Sequence, residues 1–145
     1  MGAVDITIVG MGAFVSGRFQ SFRYAFSGVW HMVRHEPNAQ IHVAAAVVVV
    51  ALGACLGLPP RDWALIVFAI CGVVATEAVN TAIERAVDVV SPNQHPHAKT
   101  SKDVAAAAVL IASVGAVVVG LLILGPPLWR QTQAVWMHLC APSPR

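Results

Sequence analysis

A run of about 21 residues without a single charge, from Val104 to Leu124, constrains this chain more than any other feature. A transmembrane helix needs roughly 20 mostly apolar residues, so this run is long enough to cross a bilayer. Two further apolar runs precede it, Ile41 to Leu58 and Trp63 to Thr76, and Pro59-Pro60 predicts a tight turn between them. The sequence therefore predicts an all-α membrane protein with three transmembrane helices.

Composition supports that class. The chain is 57% hydrophobic and 11% charged, whereas a soluble domain carries roughly 25% charged residues. The net charge is only +2, and the basic residues are scattered along the chain. Because no basic stripe or arm is present, nucleic acid is not expected as a partner. The length of 145 residues is enough for one modest domain.

The chain is expected to divide into three parts. Residues 1–17 form an N-terminal extension that can be disordered, residues 18–125 a membrane domain, and residues 126–145 a C-terminal tail. Within the membrane domain, aromatic and aliphatic residues at helical spacing predict an amphipathic surface helix over 18–36. The spans are predicted at about 41–58, 63–90 and 104–124.

Prolines mark the predicted breaks between these helices. Pro37 disfavours helical geometry at Glu36, so the surface helix should stop there. Residues 91–100 are polar and contain two prolines, which predicts a loop. Thr100 or Ser101 is expected to cap the third span. The sequence Gly125-Pro-Pro127 is expected to end it.

A polar stripe occupies the end of the second span. Glu77, Asn80, Glu84 and Asp88 are three, four and four residues apart, which places them on one face of a helix. A carboxylate at membrane depth costs at least about 2.5 kcal/mol and is a functional-site hypothesis by default. As one helix of about 28 residues, roughly 42 Å long, this span would carry its stripe to one interface.

The placement of lysine and arginine predicts the orientation. With three spans, six basic residues share one side of the membrane and three share the other. The larger group is expected in the cytoplasm, where ATP is available. The candidate polar residues then gather at that face: Glu36, Glu77, Asn80, Glu84, Asp88, His95, Lys99, Lys102 and Asp103.

This set contains the groups that phosphoryl transfer needs. Carboxylates can hold Mg²⁺, lysines can neutralise phosphates, and a deeper carboxylate can take a proton from a lipid hydroxyl. Two alternatives remain: a small ion or proton pathway, and an accessory membrane protein whose acids only make helix contacts. A pathway needs polar residues through the whole span, and the apolar runs contain almost none.

Two motifs in sequence order carry a resemblance. Glu77-x-x-Asn-Thr-Ala-Ile-Glu-x-x-Val-Asp88 is followed by His95 and by Ala98-Lys-x-x-Lys-Asp-x-Ala-Ala-Ala-Ala-Val-Leu110. Together they closely resemble the small integral-membrane prokaryotic diacylglycerol kinases, which include the undecaprenol kinases. The resemblance runs from about Arg18 to Leu124. The segment Glu36-Pro-Asn-x-x-Ile-His42 looks more like the undecaprenol kinase branch.

The resemblance implies a surface helix and three spans in a homotrimer with active sites between subunits. It implies an enzyme of the bacterial inner membrane, with its site at the cytoplasmic face, that moves the γ-phosphate of ATP to undecaprenol or diacylglycerol with Mg²⁺. It implies Glu77 as the catalytic base, Asn80 and Asp88 as its polar neighbours, and Glu36 and Glu84 as the metal ligands. The implied nucleotide-binding residues are Tyr24, Gly28, Glu36, Glu84, His95, Lys99, Lys102 and Asp103.

Overall fold

The structure, a computed structural model, describes residues 20–91 and 95–140, with the side chains of 138–140 left out of the description. The described residues form four α-helices: α1 at residues 20–35, α2 at Pro37–Leu56, α3 at Pro60–Val90 and α4 at Pro96–Cys140. The last three are long enough and apolar enough to cross a membrane. The prediction of an all-α chain with three spans is therefore confirmed.

Helix α1 stands in a unit of its own, residues 1–37. Its aromatic side chains Phe22, Phe26 and Trp30 are exposed, whereas Met32 is buried. The helix ends where Pro37 predicted: Glu36 is not helical, and its N–H bonds back to the Met32 carbonyl at 2.9 Å. The residues before 20 in the predicted surface helix lie outside the described part of the chain.

Helices α2 and α3 form a hairpin whose turn the sequence dictates. Gly57 adopts the left-handed conformation, with φ of 64°, and α2 ends in a Schellman motif. In that motif the Leu58 N–H bonds to the Gly53 carbonyl at 3.2 Å, and the Gly57 N–H bonds to the Ala54 carbonyl at 3.3 Å. Pro60 then opens α3 at a position where its missing N–H costs nothing.

A close contact locks this end of the hairpin. A Cβ atom added to buried Gly53 would lie 3.1 Å from the Trp63 ring and 3.1 Å from Leu58 Cδ1. Trp63 is half-buried. The Trp63 ring therefore packs close to the backbone of α2 at Gly53.

Helices α3 and α4 pack against each other as an antiparallel pair. Their buried contact residues include Ile66 and Val73 on α3, and Ala105, Val109 and Leu124 on α4. Small residues in the first half of α4 allow the close approach that membrane helices use in place of a hydrophobic driving force. This pair holds the polar stripe in position.

Two predicted boundaries were wrong. Helix α4 begins at Pro96 rather than near 104, so residues 96–100 of the predicted polar loop are helical. Helix α4 also continues through Pro126 and Pro127 to Cys140. Proline disfavours but does not forbid a helix at the preceding residue, and Leu128 to Ala134 are mostly good helix formers. With 45 residues, α4 is about 68 Å long, more than twice the hydrocarbon thickness of roughly 30 Å.

Candidate active site

The polar stripe of α3 runs from buried to exposed. Glu77 is 2% exposed and Asn80 is 4% exposed, whereas Glu84 is half-buried and Asp88 is exposed. The eleven residues from Glu77 to Asp88 cover about 16 Å of helix axis. Glu77 and Asn80 are therefore covered by the rest of the protein, whereas Glu84 and Asp88 are increasingly accessible.

A hydrogen bond joins the middle of the stripe. Asn80 Nδ2 donates to Glu84 Oε1 over 3.0 Å, one helical turn away. Among the described residues, Asn80 Oδ1 is buried without a hydrogen-bond partner. Asn80 therefore orients the Glu84 carboxylate, and its own Oδ1 can accept a hydrogen bond from a further donor. The carboxylate of Glu84 has its second oxygen to offer a ligand.

The exposed end of the stripe is paired with the next helix. Lys102 Nζ lies 2.5 Å from Asp88 Oδ1. One positive charge of α4 is thereby held beside the carboxylates of α3. Lys99 makes a separate ion pair along α4, with Nζ 2.8 Å from Asp103 Oδ2, and both side chains are exposed.

Helix α4 is capped by His95, through both its backbone carbonyl and its side chain. The His95 carbonyl accepts the Lys99 N–H at 3.1 Å, and the His95 ring accepts the His97 N–H at 3.2 Å. The expectation that Thr100 or Ser101 caps the helix was wrong. Because the helix begins earlier, both lie inside it, and their hydroxyls donate to the carbonyls of Pro96 and His97.

The remaining candidates lie in the first unit. Tyr24 is exposed, Glu36 is half-buried, and a Cβ placed on Gly28 would meet nothing within 4 Å. An uncrowded glycine and an exposed tyrosine are compatible with contact to a ligand. Their assignment to a nucleotide stays a prediction.

An apolar groove lies between α2, α3 and α4. It has a volume of about 380 Å³ and is partly open. Its lining is aliphatic except for His42 on α2 and Ser113 on α4. Ser113 was not among the candidates, although it is the one polar residue in the charge-free run from Val104 to Leu124.

The face of α3 thus combines a buried carboxylate, a half-buried carboxylate and an exposed ion pair, and an apolar groove lies between α2, α3 and α4. A family model, described as prokaryotic diacylglycerol kinase, matches residues 23–124. The chain belongs to the prokaryotic diacylglycerol kinase family. The family makes it an integral membrane protein and a phosphotransferase with an alcohol group as acceptor.

Two kinases are similar to this chain over about three quarters of its length. An undecaprenol kinase of Bacillus subtilis is 42% identical over 110 residues, which cover 76% of this chain and 89% of the relative. A diacylglycerol kinase of Synechocystis is 40% identical over 109 residues, covering 74% of this chain and 62% of that relative. Both names are those of lipid kinases. The alternative of an ion pathway or an accessory protein is therefore not favoured.

The described residues contain no cluster of three or more His, Cys, Asp or Glu side chains that could hold a metal ion. Mg²⁺ does not require one, since it is usually bound through one or two carboxylates together with waters and substrate phosphates. Glu84 fits that role for two reasons. Asn80 orients its carboxylate, and the side chain is half-buried near the exposed end of the stripe.

Proposed function

We propose that this diacylglycerol kinase family member transfers the γ-phosphate of ATP to the hydroxyl of a membrane lipid, undecaprenol or diacylglycerol. The observation that carries the proposal is the order of burial along one face of α3. The order is Glu77, 2% exposed, then Asn80, then Glu84, and finally Asp88, paired with Lys102. A lipid hydroxyl can reach the buried end, and a nucleotide from solution can reach the exposed end.

Glu77 is the proposed base. Its carboxylate takes the proton of the lipid O–H group while that oxygen forms a bond to the γ-phosphorus. The bond between the γ-phosphorus and the bridging oxygen breaks, and ADP leaves with the electron pair. A carboxylate held within hydrogen-bond reach of the lipid hydroxyl suits this step, because a positioned carboxylate can act as a general base.

The exposed groups are proposed to bind the nucleotide. Lys102 and Lys99 supply positive charge for phosphate oxygens, and Asp88 holds Lys102 in place. Glu84 and Glu36 are the proposed carboxylate ligands of Mg²⁺, which neutralises the phosphates when bound. His95, Asp103, Tyr24 and Gly28 complete the proposed nucleotide site, as the family resemblance implies.

Location and assembly belong to the same proposal. The six-to-three division of basic residues favours the cytoplasmic membrane with the stripe at the cytoplasmic face. Exposed aromatic residues on α1 suit a helix in the membrane interface. A homotrimer is implied by the family resemblance, and cross-linking in native membranes measures it directly.

The test is phosphate transfer by purified protein in detergent micelles with γ-labelled ATP and Mg²⁺. Undecaprenol and diacylglycerol are supplied in separate reactions. We expect labelled lipid with at least one of them, and E77Q should lower turnover by at least about 100-fold. The matched control is D62N, which neutralises an acid at the opposite end of α3. Normal turnover of folded E77Q would remove Glu77 as the base, and absence of labelled lipid from wild-type protein would refute the activity.

A further inference from the structure

The apolar groove between α2, α3 and α4 is elongated along the helices. It follows α4 from Ser113 to Leu128, a distance of about 22 Å at the helical rise per residue. That covers more than half of the roughly 30 Å hydrocarbon core. The groove is therefore longer than one leaflet is deep, and a long lipid chain can follow it past the middle of the bilayer.

The Ser113 end of the groove lies at the height of Glu77. Asp88 and Lys102 are in contact where the antiparallel helices α3 and α4 begin to pair. Eleven residues back from Asp88 is Glu77, and eleven residues on from Lys102 is Ser113. Equal rise per residue brings the two to the same level.

The Ser113 hydroxyl also differs from four other hydroxyls in the described helices. Those of Thr76, Thr100, Ser101 and Thr132 donate back to carbonyls of their own helices. Ser113 Oγ is buried, and it has no hydrogen-bond partner among the described residues. A buried polar atom without a partner costs free energy, so a ligand that supplies one gains affinity at this position.

We infer that the groove holds the hydrocarbon chain of the lipid acceptor and that Ser113 hydrogen-bonds its hydroxyl next to Glu77. The inference rests on the proposed lipid kinase activity and adds a binding site to it. The chain lies among residues such as Val49, Ile70, Val73 and Val117. The hydroxyl meets the polar end, where Ser113 and Glu77 stand at one level.

Two glycines of α4 provide a matched test of the groove. Gly120 lines it and Gly115 does not, and a Cβ added to either would meet nothing within 4 Å. We expect G120L to raise KM for a long-chain lipid about tenfold, with KM for MgATP unchanged. G115L should leave both values near wild type. A short-chain soluble alcohol should lose little with G120L, because it does not fill the groove.

Ser113 is tested separately. S113A is expected to raise KM for the lipid about fivefold, and S113T, which keeps the hydroxyl, should restore most of the loss. An unchanged KM in S113A, or an equal defect in S113T, would overturn the role of the hydroxyl.

A readout without turnover separates this inference from the activity. A long-chain primary alcohol carrying a mid-chain diazirine should photo-cross-link to α4 residues of the groove in wild type and G115L, and far less in G120L. Equal labelling in all three proteins would overturn the site even if lipid is phosphorylated. A change in oligomeric state confined to G120L, without a change in labelling, would assign the groove to a second copy of the chain instead.

Discussion

Replacing Asn80 by alanine is expected to lower kcat/KM for MgATP by roughly 10- to 150-fold. Asn80 Nδ2 donates to Glu84 Oε1 over 3.0 Å from a side chain that is 4% exposed. A hydrogen bond to a charged group contributes about 1.5–3 kcal/mol. Since about 1.4 kcal/mol corresponds to tenfold in rate, the stated range follows if the whole bond is needed to orient Glu84.

The assay is steady-state kinetics with saturating lipid and varied MgATP, followed by a titration of free Mg²⁺ at fixed ATP. The matched control is T76V, one residue before Glu77. The Thr76 hydroxyl donates only to the carbonyls of Gly72 and Val73, at 3.0 and 2.9 Å. Its removal leaves Glu84 untouched, so T76V should stay within about twofold of wild type.

The reasoning fails if N80A keeps kcat/KM for MgATP within about twofold of wild type while eluting from a sizing column like the wild type. It also fails if T76V and N80A lose the same amount, because a general disturbance of α3 would then explain both. A loss that appears only in KM for the lipid would move Asn80 from the metal end of the stripe to the acceptor end.

Two further changes test the ion pair and the hairpin. K102M should raise KM for MgATP about tenfold. It should leave thermal stability nearly unchanged, because an ion pair with an exposed Asp88 contributes about 0–1 kcal/mol. A large fall in melting temperature with normal KM would make the pair structural. G53L should destabilise the protein by about 1–3 kcal/mol in a thermal unfolding assay, since its side chain would overlap the Trp63 ring. G72L, where a Cβ meets open space, is its control, and equal losses in the two variants would contradict that explanation.

The helices could be predicted where the signal was local. Charge-free runs predicted three spans, and Pro37 predicted the break at Glu36, because each depends only on neighbouring residues. The ends of α4 were missed for a related reason. Proline and polar residues lower the local preference for a helix. At Pro126-Pro127 the helical residues on both sides nevertheless keep the chain helical, because helix formation is cooperative.

The candidate site was predictable as a face but not as a set of contacts. Helical spacing put Glu77, Asn80, Glu84 and Asp88 on one stripe, and the structure adds that the first two are buried. The Asn80–Glu84 bond was within reach of the same argument, since the two residues are four apart. The pairing of Asp88 with Lys102 could not be predicted in this way, because Lys102 lies on another helix and the register between helices depends on their packing.

By itself, the sequence determined the class of the protein, the number of spans, the acidic face and the family, because these depend on composition, periodicity and motif order along one chain. Only the tertiary structure decided that Glu77 and Asn80 are buried, that Lys102 meets Asp88, and that an apolar groove ends at Ser113. Those features arise from the antiparallel pairing of α3 and α4 beside α2. Burial and distance between helices are properties of that packing, and no local pattern in the chain contains them.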